Sequence, residues 1–168
     1  MKKVISQEKI GVIYAFLSIS TFAKMSPSDR LVVVQNINVL RKKDEAFKQC
    51  MTEYGEKVRP DGYNEKKKVA TELEREFLKT FGKITNEEQA KQFSKELCVK
   101  HPEYDAFLKM NNEYLEECNR ILNAHAKQEV ELDIVPLSMD GYNDLLSSNN
   151  WNFVQAGLIY DLFVNMEE

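Results

Sequence analysis

The chain has 168 residues and a formal charge of −4; 43% of it is apolar and 30% charged. That suits a single domain with a modest core, and it excludes the overall basic footprint of a nucleic-acid binder. Six glycines and four prolines favour long helices over an all-β fold.

Lys3-Val4-Ile5 reads as a short strand. Ser6 offers an N-cap, and Gln7 to Ser20 carries Ile10, Ile13, Phe16, Leu17 and Ile19 at helical spacing. Val12 and Tyr14 widen that surface, so this helix is expected to bury two sides. Lys2 and Lys3 ahead of the apolar Ile10–Ile19 run have the outline of a secretion signal, but Gln7, Glu8 and Lys9 interrupt it and no clean small-residue cleavage site follows. The run is also too short to span a bilayer. A soluble protein of the cytoplasm with no membrane partner is the expectation.

After a connection at Thr21–Met25, Ser26-Pro27-Ser28-Asp29 is the best local start signal in the chain. Ser26 caps, Pro27 fits the first helical position, and Asp29 answers Ser26 from the third. The helix it opens reaches about Arg59 and so spans about 45–50 Å. Val33, Ile37, Leu40, Asp44, Phe47, Met51, Tyr54 and Val58 form its seam at alternating steps of four and three, with one carboxylate in the middle. Leu31-Val32-Val33-Val34 is apolar all round and calls for burial, whereas Arg41–Lys57 is polar outside the seam.

Pro60 and Gly62 mark a turn. Asn64 can cap a helix from Glu65 to about Thr80 with the stripe Val69, Leu73, Phe77, Leu78 and Phe81, closed by Gly82. Thr85-Asn86-Glu87-Glu88 reads as a capping box for a further helix ending near Val99, with Ala90, Phe93 and Leu97 on its apolar face. Pro102 begins the next helix, which runs to about Gln128 on Tyr104, Leu108, Asn111, Leu115, Cys118, Leu122 and His125. Its seam predicts antiparallel packing on the Ser26–Arg59 helix, Val33–Met51 against Leu108–Leu122. A second stripe, Phe107, Tyr114 and Ile121 with Met110 alongside, exceeds what one partner helix needs. These four are the candidate interface residues.

Val130-Glu131-Leu132-Asp133-Ile134 alternates as a strand does and could pair with Val4-Ile5. Ser138 caps a short helix holding Tyr142, Leu145 and Leu146. Asn149 or Asn150 starts the last helix, Trp151 to about Val164, whose packing face is Val154, Leu158, Ile159, Leu162 and Phe163. The expected fold is mainly α: one domain, with a globular base at 1–34 and 129–168, a long antiparallel helical hairpin at 35–128, and a short two-stranded β element.

No pattern of chemistry emerges. Cys98 and His101 are three positions apart but Pro102 abuts them; Cys118 and His125 lie about two turns apart, roughly 10 Å, too far for one ion. The three cysteines, Cys50, Cys98 and Cys118, contain no CxxC pair and read as reduced thiols beside apolar seams. There is no Gly-rich phosphate loop. Lys66-Lys67-Lys68, flanked by Glu65 and Glu72, reads as a solvated face. Hence no catalytic residue, cofactor or metal is expected. Of the polar seam residues, Asp44 reads as a locally open, hydrated seam, Asn111 as that or a register-setting contact, and His125 as a helix-end residue.

The layout Lys3–Ile5, Ser26-Pro27-Ser28-Asp29-Arg30, a charged helical hairpin to Gln128, Val130–Ile134 and Tyr160-Asp161 resembles an uncharacterised family of small helical-hairpin proteins of tailed phages. The resemblance implies a role among phage structural or assembly proteins, in the host cytosol or the virion, and carries no catalytic residues. The expected function is non-enzymatic protein–protein contact, with a protein partner or with itself. The alternative is an inhibitor or adaptor that docks on a host protein.

Overall fold

A computed structural model describes residues 1–164. The element order is β1 (Lys2–Ser6), α1 (Gln7–Ser18), α2 (Pro27–Lys57), α3 (Tyr63–Phe81), α4 (Glu87–Lys100), α5 (Pro102–Ala126), β2 (Glu129–Asp133), α6 (Met139–Ser148) and α7 (Phe153–Phe163). The fold is mainly α with one short two-stranded sheet. The strands pair antiparallel, Val4 opposite Glu131 and Ser6 opposite Glu129. The ladder runs on into α1, where the Gln7 amide donates to the Gln128 carbonyl at 3.0 Å. Ser6 holds the N-cap position, but its Oγ makes no cap bond and is buried with no hydrogen-bond partner among the described residues.

Other helix starts follow the capping chemistry more closely. Ser26 Oγ accepts from the Asp29 amide at 3.1 Å and donates to its carboxylate at 2.6 Å. Three helix starts move from their expected places, the first being α3, which begins at Tyr63 with Gly62 rather than Asn64 at its N-cap. α4 is capped by Asn86, whose side chain accepts from the Gln89 amide while Gln89 Oε1 takes the Thr85 amide. α7 starts at Phe153 rather than Trp151, because Asn152 and Gln155 form a reciprocal capping box. Asn149 is occupied elsewhere: its amide group donates to the carbonyls of Thr21 and Leu145 and accepts from the Thr21 amide.

The residues divide into two compact units, 1–52 with 122–168 and 53–121. The boundaries fall within α2, after Thr52, and within α5, after Ile121.

In the first unit the core is largely aliphatic: Ile10, Ile13, Leu17, Val33, Leu40, Leu132, Ile134, Leu145, Ile159, Leu162 and Phe163 are all at most 2% exposed. Two devices close it. Asn36, fully buried on α2, donates to the Val135 carbonyl at 2.8 Å and accepts from the Val135 amide at 2.9 Å. It thereby satisfies the backbone just past β2 where no strand is available. Gly141 lets α6 approach the start of α2, since a Cβ there would lie 2.7 Å from the Asp29 carboxylate and 2.9 Å from Leu137.

The second unit has an aromatic core. Tyr63, Ala70, Phe77, Phe93, Leu97, Tyr104 and Phe107 are buried together. Phe77 and Phe93 rings lie 5.2 Å apart, Phe81 and Phe93 meet edge to face at 5.3 Å, and Tyr63 packs on Phe107 at 5.8 Å and Tyr114 at 5.0 Å. Such pairs add about 0.5–1.5 kcal/mol each beyond area burial.

The expected register of the long helices, Val33–Met51 on Leu108–Leu122, is corrected. Val33 and Leu40 belong to the aliphatic core, while Phe107 and Leu108 belong to the aromatic core with α3. α2 and α5 come together nearer the end of α2: Phe47 and Met51 share a groove with Leu122 and Ala126, and Tyr114 Oη donates to the Gly55 carbonyl at 2.9 Å. A heptad seam calls for burial of a stripe without saying which element supplies it, and in α5 Leu115 and Leu122 of that seam stay 47% and 40% exposed.

Candidate functional site

Three surfaces bear on function: the stripe chosen from sequence, an exposed apolar group in the first unit, and a groove in the same unit.

Three of the four stripe residues on α5, Phe107, Met110 and Tyr114, pack into the aromatic core. Phe107 is 9% exposed under Tyr63. Tyr114 is half-buried between Tyr63 and the Gly55 carbonyl. Burial lifts its hydroxyl pKa above the ordinary 10.0, with a hydrogen bond to Arg59 opposing that rise and one to Cys118 adding to it. Met110 is half-buried against the same core, and Ile121 is half-buried on α5. Phe107, Met110 and Tyr114 are thus packing residues of the aromatic unit. Asn111 has a structural task there too, accepting from Tyr63 Oη at 2.7 Å. Tyr104 donates to Glu74 at 2.6 Å; burial first, and then this bond, push its pKa well above the ordinary 10.0.

α5 leaves Leu115 and Leu122 47% and 40% exposed, and more exposed apolar side chains lie elsewhere, Val99 of α4 at 77% among them. Phe153 is 92% exposed, Ile19 83% and Val154 68%. Ile19 is the C-cap of α1 and Phe153 the first residue of α7. Phe16 and Trp151 meet edge to face at 5.9 Å, and Thr21 and Asn149 exchange backbone–amide hydrogen bonds at 2.8 and 2.9 Å. These links hold the end of α1 beside the start of α7, so all three apolar residues lie at one end of the unit. The sequence reading put Ile19 and Val154 on packing faces; both are corrected to surface positions. The missed signal is local. A residue in the first turn after an Asn cap sits where the helix has only begun, and helical periodicity assigns it no reliable face.

The groove, about 510 Å³, is walled by α1, α2 and the end of α5. Phe47, Met51, Leu122 and Ala126 give it apolar sides; Gln7, Glu8, Asp44, Lys48, Thr52 and Asn123 supply polar groups. Asp44 is 4% exposed, so the carboxylate expected in a hydrated seam is buried, although the seam does open beside it. Its Oδ2 takes Lys48 Nζ at 2.6 Å, which raises the Lys48 pKa above the ordinary 10.5. Gln7, also buried, donates through Nε2 to the Lys43 carbonyl at 3.4 Å. A larger depression of about 730 Å³ is lined by α4 residues alone, and a single helix face encloses nothing.

Cys50, Cys98 and Cys118 are free thiols of intermediate exposure. Among the described residues no group of three or more His, Cys, Asp or Glu is placed to hold a metal ion, and no helix is long and apolar enough to cross a membrane. His125 Nδ1 lies 3.3 Å from Gln128 Oε1 at the end of α5. Comparison of the chain with protein-family models, with curated proteins and with solved structures finds no match.

Proposed function

We propose that this is a non-enzymatic protein that works by contacting other protein surfaces, and that the contact is made by Ile19, Phe153 and Val154. The observation that carries the reading is the 92% exposure of Phe153 beside two further exposed aliphatic residues. Leaving such a group in water forfeits roughly 1.5–3 kcal/mol for a Phe or Ile side chain, which burial against a partner would recover. Large aromatic side chains are also the commonest anchors of protein interfaces. The layout resemblance supports placing that contact in the assembly or structure of a tailed phage.

The test is the double variant Ile19→Ser with Phe153→Ser. Its helical circular dichroism and melting temperature should match wild type, while its self-association by light scattering, or its recovery of native complexes from its own cells, should fall at least about tenfold, the equivalent of 1.4 kcal/mol. Unchanged assembly and unchanged complexes in a folded variant would contradict the proposal.

A further inference from the structure

The groove between α1, α2 and α5 carries an unusual electrostatic arrangement for an apolar seam. Asp44 is buried, yet its ion-pair partner Lys48 sits one turn along the same helix with a side chain 71% exposed. The cation therefore reaches the carboxylate from the solvent side. A flexible four-carbon stem so exposed is free to leave, and an i,i+4 link alone holds such a stem weakly. The carboxylate is not free to leave. It is hemmed in by α1, where Gly11 has no side chain; a Cβ there would be 3.2 Å from Oδ1. Glu8 adds a second negative charge to the lining. With Lys48 displaced, every remaining charged group lining the groove is negative.

We propose that this groove receives a lysine side chain of a partner protein. The incoming ammonium replaces Lys48 on Asp44, and its stem lies along Phe47, Met51 and Leu122. The apolar walls suit the methylene stem that lysine buries while its charged end finds a counter-ion. Lysine is favoured over arginine because a compact ammonium needs one carboxylate oxygen, whereas a bidentate guanidinium needs both oxygens open in one plane, and Oδ1 faces α1. The proposal rests on the interaction reading above and adds the chemistry of the partner.

The probe is the blocked tripeptide acetyl-Gly-Lys-Gly-amide, compared by amide-shift titration with its norleucine counterpart and with n-pentylamine. The lysine peptide should produce saturable shifts at Gly11, Asp44, Phe47 and Leu122, and the norleucine peptide should bind about tenfold more weakly, as expected when one charged hydrogen bond is lost. Asp44→Asn should abolish the difference between the two peptides. Lys48→Met should tighten lysine-peptide binding severalfold, because it removes the resident competitor; this variant keeps the test independent of any effect of Asp44→Asn on folding. Equal binding of the two peptides, no saturable shift in either wild type or Lys48→Met, or saturation by n-pentylamine without the lysine peptide would each overturn the proposal. A peptide titration does not depend on the Ile19–Phe153 surface. Its failure would leave the interaction reading standing, and failure of the Ile19→Ser/Phe153→Ser test would leave the titration interpretable.

Discussion

The two units solve the problem of a small core differently. The first fills its interior with aliphatic side chains and ties its irregular segments with side-chain amides, the buried Asn36 on Val135 and the half-exposed Asn149 on Thr21. The second gathers Tyr63, Phe77, Phe93, Tyr104 and Phe107 and satisfies its hydroxyls on Asn111, Glu74 and the Gly55 carbonyl. The consequence for function is an inversion of what residue type suggests. The unit rich in aromatics buries most of them, while the aliphatic unit leaves Phe153 in solvent. Aromatic enrichment along a stripe therefore does not locate an interface; exposure does.

The sharpest way to break this contrast is to truncate one phenylalanine in each unit. Phe107→Ala should destabilise the aromatic unit by about 3–5 kcal/mol, as large core truncations do, with visible loss of helical signal. Phe153→Ala should change stability by no more than about 0.5 kcal/mol. Urea denaturation followed by circular dichroism checks both, and comparable losses would erase the distinction.

The amide tie of the aliphatic unit comes next. Asn36→Leu removes both bonds to Val135 and leaves a part-buried amide and carbonyl without those partners, which should cost about 1–3 kcal/mol. Faster hydrogen exchange at the Val135 amide would show that the loss is local to that tie; unchanged exchange would mean the bond is not held in solution.

How far these features were legible in the sequence depends on whether a signal was local. The Ser26–Asp29 cap, the pairing of β1 with β2 and the mainly helical fold were legible, because capping and periodicity act over a few residues. Asn36 was not: it follows an apolar run, and nothing local says that its amide will meet a backbone 99 residues away. The covering of Phe107 was equally hidden, since a wide apolar face on α5 fits an open patch or a second packing neighbour equally well. Tyr63 of α3 turned out to be that neighbour. Asp44 stood out as a charge on an apolar seam, but its burial depends on a glycine in another helix, Gly11.

The smallest expected effect is in alkali. Tyr104 has a folded pKa well above its ordinary 10.0, because burial and the Glu74 bond favour the neutral phenol. The folded state thus holds its proton where the unfolded state releases it. This contribution to stability is complete below pH 10 and declines as pH rises beyond it. Tyr104→Phe should cost about 1 kcal/mol at neutral pH and make the fall in melting temperature above pH 10 shallower. An unchanged alkaline slope would assign that sensitivity to other groups.

The claim at the centre of this account is that Phe153 faces solvent in the free protein and is covered when the protein meets its partner, while Phe107 is covered throughout. Fluorine NMR of fluorophenylalanine-labelled protein, with each resonance assigned by a single Phe→Leu variant, tests it most directly. With a soluble paramagnetic agent, the Phe153 resonance should relax fastest in the free protein and be protected in complexes recovered from native cells, and the Phe107 resonance should be protected in both. An accessible Phe107, a protected Phe153 in the free protein, or a Phe153 still accessible in the complex would contradict it.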